Sequence, residues 1–103
     1  MPEVTKTLTG DGQFSDTIRT KCRQSASLRG TENYLNISAQ GTWSGEINVQ
    51  RKYAHWGTWE SAGKITAPNL AYQLYEFEED WDYRIGFPTG TYISGTAEVR
   101  LGY

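Results

Sequence analysis

The chain has 103 residues, enough for one domain with a thin core, and we take residues 1–103 as that domain. Its formal net charge of −2 excludes the positive field that proteins use to hold nucleic acid, and no apolar run reaches the roughly 18 residues that span a bilayer. Only 37% of residues are hydrophobic but 14% are aromatic, so we expect an aromatic-rich core. Cys22 is the single cysteine and has no intrachain partner, so we expect the chain to fold in a reducing cytoplasm.

The N-terminal part predicts a hairpin followed by a basic stretch. Thr5–Thr9 and Phe14–Thr20 are separated by Gly10-Asp11-Gly12, which is typical of a turn between two paired strands. Residues 19–29 contain four basic side chains and no acidic one, and they have neither a helical nor a strand period. We expect a loop or an edge segment there, and its basic residues include Arg19, Arg23 and Arg29.

Alternating apolar residues predict the next two strands. In Tyr34–Ala39 every second side chain from Leu35 onward is apolar, so these side chains share one face. Gln40–Thr42 is then predicted as a connection to a long strand, Trp43–Tyr53.

A short sequence echo relates this long strand to the last strand of the chain. Trp43–Gln50 and Ile93–Arg100 share Ser, Gly and Val in the same register. After each glycine the apolar residues take every second position, which predicts one buried face. The side chains expected to face solvent are Glu46, Asn48, Gln50, Thr96, Glu98 and Arg100. Two strands in similar positions of one sandwich explain the echo without an internal duplication.

A second hairpin is predicted in the middle of the chain. Ala54–Thr58 lies between two strand-forming runs, Trp43–Tyr53 and Trp59–Thr66, and it contains the glycine that a tight reversal needs. His55 and Trp56 then lie at the hairpin tip. His55 fits an exposed turn residue, whereas Trp56 fits either a contact residue or a ring packed over the turn.

The last third predicts strands on both sides of an acidic turn. Leu70–Phe77 is rich in Tyr and Leu, but its pattern does not say which face is inward. Five of the 12 acidic residues lie within Glu76–Asp82, and these include Glu78 and Asp80. We interpret this run as a solvated surface turn before Tyr83–Phe87, a strand in which every second side chain points inward.

A final strand over Ile93–Leu101 brings the number to about eight. The chain is therefore predicted to be all-β, a single antiparallel β-sandwich with either jelly-roll or immunoglobulin-like topology.

The reactive side chains do not form a recognisable catalytic or metal-binding pattern. His55 is the only histidine, so a nucleophile has almost no candidate base. Cys22 and His55 lack the spacing of a zinc site, and the acidic run lacks the spacing of a calcium loop. We predict a protein that is not an enzyme and that has no catalytic residues, cofactor or metal.

Contact with a partner is the function that the remaining features favour. The basic stretch and the acidic run are complementary in charge, so either both are solvated faces or they attract each other between copies in an assembly. The candidate contact residues are His55, Trp56, Arg19, Arg23, Arg29, Glu78 and Asp80.

Several segments of the last two-thirds of the chain resemble a known group of proteins. Gly41–Arg51 and Gly57-Thr58-Trp59, followed by Asp82–Gly86 and Ser94–Gly102, are similar to segments of small β-sandwich proteins encoded by tailed bacteriophages. Such sandwiches serve on phage particles as capsid decoration or cement proteins and as modules on tails. The resemblance implies a structural role in a virion.

These observations together predict a non-enzymatic virion protein. We expect a capsid decoration or cement protein that folds in the host cytoplasm and binds the major capsid protein or other virion proteins in many copies or as a homo-oligomer, without nucleic acid or membrane partners. The alternative is a carbohydrate-binding or adaptor module on a phage tail or fibre, using Trp56 with Trp81 or nearby tyrosine rings.

Overall fold

The computed structural model describes residues 3–20, 34–53, 57–76 and 80–102. Alternating apolar side chains and glycine-containing turns form eight strands within these residues. The strands are β1 (Glu3–Leu8), β2 (Ile18–Arg19), β3 (Tyr34–Gly45), β4 (Ile47–Tyr53), β5 (Glu60–Ile65), β6 (Asn69–Tyr75), β7 (Trp81–Gly86) and β8 (Tyr92–Gly102).

The strands form two antiparallel four-stranded sheets, which confirms the predicted β-sandwich. The first sheet has the order β1-β8-β3-β6 and the second has the order β2-β7-β4-β5. This is the strand order of an eight-stranded jelly roll. An immunoglobulin-like sandwich would pair the first strand with the second, whereas β1 pairs here with β8, from Glu3 opposite Gly102 to Leu8 opposite Ala97.

The core lies between the two sheets, and the predicted inward rows form most of it. The buried apolar side chains come from both sheets: Leu8, Ile18, Leu35, Ile37, Ala39, Ile47, Val49, Ile65, Tyr83, Ile85, Phe87, Ala97, Val99 and Leu101. Trp43, Tyr72, Leu74, Trp81 and Tyr92 pack against this core while partly buried. The period of two predicted most of this core, because each strand of a sandwich buries only one of its faces. Leu8, Ile18 and Ile65 were not predicted to face inward, although they are buried.

The prediction of an opening hairpin was wrong. β1 belongs to the first sheet and β2 to the second, so the turn at residues 10–12 carries the chain from one sheet to the other. After this turn the chain pairs with β7 and with Phe87, which follows β7. The Ser15 amide donates to the Ile85 carbonyl, and the Phe87 amide donates to the Gln13 carbonyl. Burial of Leu8 in one sheet and Ile18 in the other outweighs local strand pairing.

The long strand predicted over Trp43–Tyr53 was also wrong in its bounds. β3 runs through Gln40–Thr42 without a break, and the chain changes sheets at Glu46. The β7–β8 connection crosses beside it, since the Glu46 amide donates to the Thr91 carbonyl. We call these two adjacent crossings, residues 45–47 and 87–91, the corner of the sandwich.

The sequence echo has a structural explanation at this corner. Ser44 and Ser94 are directly paired partners in β3 and β8, so the two copies lie side by side. Beyond Gly45 the chain crosses into the second sheet, while beyond Gly95 it stays in the first. Asn48, which was expected to face solvent, is buried and accepts a hydrogen bond from the Ser61 hydroxyl at 3.0 Å.

Candidate functional site

Three inward rows of the sandwich end in polar side chains at the end opposite the corner. The row that contains Val49 continues to Arg51, and the row that contains Leu74 continues to Glu76. The row of Ile85 includes Tyr83, two residues earlier on β7. Because side chains alternate along a strand, these three residues point into the space between the sheets.

Glu76 is the centre of this polar cluster. Its side chain is only 3% exposed, and it accepts hydrogen bonds from the Tyr83 hydroxyl at 2.8 Å and from Arg51 Nη1 at 3.0 Å. Glu76 follows β6 in the first sheet, whereas Arg51 and Tyr83 lie on β4 and β7 in the second. The carboxylate therefore links the two sheets through charged and neutral hydrogen bonds.

Arg51 connects the buried cluster to the surface. Its Nε lies 3.2 Å from Oε1 of the exposed Glu60, and its guanidinium stacks 4.2 Å from the centre of the Trp81 ring. Burial lowers the pKa of Arg51, but hydrogen bonds to Tyr83 and Glu60 and the charge of Glu76 outweigh burial and raise it. Burial, and then the hydrogen bond to Glu76, raise the pKa of Tyr83 well above its ordinary value.

A cleft of about 340 Å³ opens beside this cluster, between the edge strands of the two sheets. Its lining residues are Arg51, Glu60, Ser61, Ala62, Leu74, Tyr75 and Tyr83. The guanidinium in this cleft is already paired with two carboxylates, so the cluster acts as a structural clamp between the sheets.

The residues that border the basic stretch, the hairpin tip and the acidic run lie at this same end of the sandwich. Tyr53 pairs with Trp81, Tyr34 pairs with Tyr75, and the Thr20 amide donates to the Trp81 carbonyl. The basic stretch, the hairpin tip and the acidic run all depart from these neighbouring residues. We call this end, defined by Thr20, Tyr34, Tyr53, Glu76 and Asp80, the open end.

Two of the predicted contact residues can be placed. Arg19 is half-exposed and its Nε lies 2.9 Å from Oδ1 of Asp82, which raises the pKa of Arg19 first through the hydrogen bond and then through the charge of Asp82. Asp80 has a positive φ of 68°, and its amide donates to the Thr20 carbonyl. Basic and acidic stretches thus meet within one chain at Arg19 and Asp82.

The other predicted contact residues lie outside the described residues: His55, Trp56, Arg23, Arg29 and Glu78. The expectation of a uniformly solvated acidic turn was wrong for two members of the run, because Glu76 and Asp82 are buried. The signal that could have found Glu76 is its spacing, since it continues the alternation of Tyr72 and Leu74, both of which pack on the core.

The described tryptophans at and near the open end are covered by neighbouring side chains. The Trp81 ring packs edge-to-face against Tyr53 at 5.5 Å and lies under Arg51. On the outer face of the second sheet, Arg84 lies 4.2 Å from the Trp59 ring and 3.8 Å from the Phe14 ring. Burial lowers the pKa of Arg84. These cations occupy ring surface that a sugar platform would leave open.

Neither a metal site nor a known family accounts for this arrangement. Within residues 3–20, 34–53, 57–76 and 80–102, no group of three or more His, Cys, Asp or Glu side chains could hold a metal ion. The part of the chain that the structure describes also contains no helix with the length and apolarity of a membrane span. Comparison with protein-family models, curated proteins and solved structures finds no match.

Proposed function

We propose that this chain is a non-enzymatic structural protein of a bacteriophage virion, most specifically a capsid decoration or cement protein that reinforces contacts between capsid subunits. The proposal rests on the segments that resemble phage sandwich proteins and on one structural observation. The Glu76–Arg51–Tyr83 cluster pairs its charges internally and joins the two sheets at the open end.

The fold and the arrangement of loops support this proposal. Jelly rolls are used in viral capsid and lectin domains, which is an analogy of fold and not of site. The described residues that border the basic stretch, the hairpin tip and the acidic run in the sequence lie together at the open end, which makes this end the proposed binding surface. A thin domain in many copies on a lattice gains avidity from individually modest contacts.

Particles provide the direct test. Phage particles assembled without this protein should lose resistance to heat and mechanical stress, and purified protein added back should restore it. Particle maps at low resolution should show its density across the capsid surface. The proposal fails if particles lacking the protein are as resistant as complete particles, or if the density is confined to the tail.

Matched variants at the two ends test which surface binds. Thr58 is exposed beside the open end and Thr89 is exposed at the corner. We expect Thr58→Glu to weaken binding to depleted particles by about tenfold, and Thr89→Glu to leave it within about twofold of wild type. Equal loss in both variants, or loss in Thr89→Glu alone, would contradict binding through the open end.

A groove on the outer face of the first sheet favours carbohydrate binding on a phage tail or fibre as the second candidate. The groove has a volume of about 690 Å³ and is lined mainly by hydroxyl, amide and charged side chains, which suit sugar hydroxyl groups: Thr5, Lys6, Thr7, Ser38, Gln40, Leu70, Glu98, Val99 and Arg100. Glycan-array binding that falls in Gln40→Ala, but not in the distant Thr89→Ala, would support this candidate. No binding across the array would reject it.

A further inference from the structure

The outer face of the second sheet is basic, although the chain as a whole has a net charge of −2. Side chains on this face alternate with the buried residues of the same strands. Glu60 lies opposite Arg51 and therefore belongs to the inner side of the sheet. The four strands place one acidic and four basic side chains outward: Asp82, Arg19, Lys52, Lys64 and Arg84. A face with this balance of charge attracts anionic partners.

Two of these four basic side chains are already paired. Arg19 Nε lies 2.9 Å from Asp82 Oδ1, and Lys64 Nζ lies 3.9 Å from a glutamate oxygen at the corner. Lys52 and Arg84, by contrast, form no ion pair with any carboxylate of the described residues. The uncompensated positive charge of this face is therefore concentrated on Lys52 and Arg84.

Neighbouring side chains hold the Arg84 guanidinium in one orientation. Its Cζ lies 3.8 Å from the centre of the Phe14 ring and 4.2 Å from that of the Trp59 ring. Its Nε donates to Gln50 Oε1 at 2.9 Å, whereas Nη1 and Nη2 donate to no described residue and are not buried. A planar guanidinium fixed in this way offers two parallel N–H donors to a carboxylate with little further loss of side-chain entropy.

Lys52 places a second positive charge beside the first. Its Nζ lies 5.2 Å from the centre of the Trp59 ring, the same ring that Arg84 contacts. Alternate residues of an extended peptide lie about 7 Å apart on one side, so two acidic side chains at such positions can reach both cations. A sugar or a nucleotide base would need an open ring face on which to stack, whereas the cations occupy the Trp59 ring.

We propose that this face binds an acidic, extended peptide segment of a partner protein. Arg84 holds one carboxylate through Nη1 and Nη2, and Lys52 pairs with the acidic side chain two residues away in the peptide. Trp59 lies against both cations and keeps them together. The proposal does not depend on a virion function, because it follows from the charges and contacts of this chain alone.

Isothermal titration calorimetry of the full chain at low salt tests the proposal with a capped peptide that alternates glutamate with threonine. The peptide should bind with a Kd below about 1 mM, and a peptide with glutamine in place of glutamate should bind at least about tenfold more weakly. In NMR spectra the indole N–H signal of Trp59 should shift on binding, whereas that of Trp43, which packs on the core from the first sheet, should not.

Matched variants identify the cations that bind. Lys52→Gln should weaken peptide binding at least about fivefold, and the control Lys64→Gln, which removes the same charge from the same face, should stay within about twofold of wild type. Arg84→Lys keeps the charge but removes the planar pair of donors, so it should weaken binding at least about tenfold. Circular dichroism verifies that the variants fold.

Four results would each overturn the proposal. They are no binding of the glutamate peptide at about 1 mM, equally tight binding of the glutamine peptide, equal weakening in the two lysine variants, and binding of a uronic acid oligomer in place of the peptide.

Discussion

Glu76 is a carboxylate that the chain buries at the open end, where it holds hydrogen-bond donors from two strands of the opposite sheet. A buried carboxylate without partners would be strongly unfavourable, so the geometry of Arg51 and Tyr83 decides whether this residue is tolerated. Glu60 binds the same guanidinium from the surface, where solvent screens the interaction.

The two carboxylates on Arg51 should therefore contribute unequally to stability. We expect Glu76→Gln to lower the free energy of unfolding by about 1–3 kcal/mol, because a buried charged hydrogen bond is replaced by a neutral one. The matched variant Glu60→Gln should cost less than about 1 kcal/mol. Urea unfolding of both variants measures the difference, and equal losses would show that the buried position confers no advantage.

Burial of Tyr83, together with its hydrogen bond to Glu76, also makes stability depend on alkaline pH. Tyr83 has a raised pKa in the folded protein, so above pH ~10, the ordinary pKa of tyrosine, the folded state holds a proton that the unfolded state has lost. The contribution of this group is fully present below pH ~10 and falls as pH rises toward the folded pKa, by up to about 1.4 kcal/mol per pH unit.

Tyr83→Phe isolates this effect. The variant should be less stable than wild type at neutral pH, because Glu76 loses a donor, but its stability should fall less steeply above pH ~10. Urea unfolding at a series of pH values gives both slopes. Parallel slopes for wild type and variant would mean that Tyr83 does not carry the alkaline dependence.

At the scale of the element, two glycines near the corner distinguish two costs of adding a side chain. One cost comes from the backbone conformation, and the other comes from the space available to a Cβ atom. Gly95 and Gly90 have nearly the same positive φ, 95° and 92°. A Cβ on Gly95 would overlap the Thr42 carbonyl oxygen and lie 2.6 Å from Trp43 Cα, whereas a Cβ on Gly90 would meet no atom within 4 Å. Only Gly95 is therefore required by the close approach of β3 to β8.

Alanine at these positions should have different costs. Gly90→Ala should lose about 1 kcal/mol, the cost of a positive φ for a residue with a side chain. Gly95→Ala should lose clearly more, because β3 and β8 must also move apart. Thermal unfolding of the two variants provides the comparison, and equal losses would indicate that φ alone sets the cost.

Strand existence was predictable from the sequence, but sheet membership was not. Alternation of apolar residues identified the inward faces around Ile37, Val49, Ile85 and Val99, because alternation reflects burial of one face. The change of sheet at Glu46 left no break in that alternation, since the faces on both sides of the crossing point into the same core. Turn residues alone therefore predicted a connection at Gln40–Thr42, whereas the chain changes sheets at Glu46.

At the scale of the whole molecule, the jelly roll brings together segments that are distant in sequence. β1 pairs with β8 and β2 pairs with β7, so the first strands meet the last. Such order cannot be deduced from local patterns, because each pairing depends on the burial of strands far along the chain. The candidate site was hidden for the same reason. Arg51 and Tyr83 lie on two strands and Glu76 follows a third, so the three residues meet only in the folded molecule.

This topology should make folding slow for a chain of this size. Loop closure must precede most strand pairing, so we expect refolding in milliseconds to seconds, as in other all-β sandwiches. Stopped-flow fluorescence of the tryptophans after dilution from urea gives the rate. Refolding in microseconds would contradict the importance of long-range pairing.

The pairing of β1 with β8 also determines how the molecule responds to tension. Glu3 lies opposite Gly102 and the strands are antiparallel, so a pulling force applied across these two residues opens the hydrogen bonds one after another from that end. Sequential rupture requires less force than simultaneous shearing of a whole strand. A load delivered through these residues would therefore peel β1 away first, whereas a load carried across the sheet faces would leave this pair under little strain.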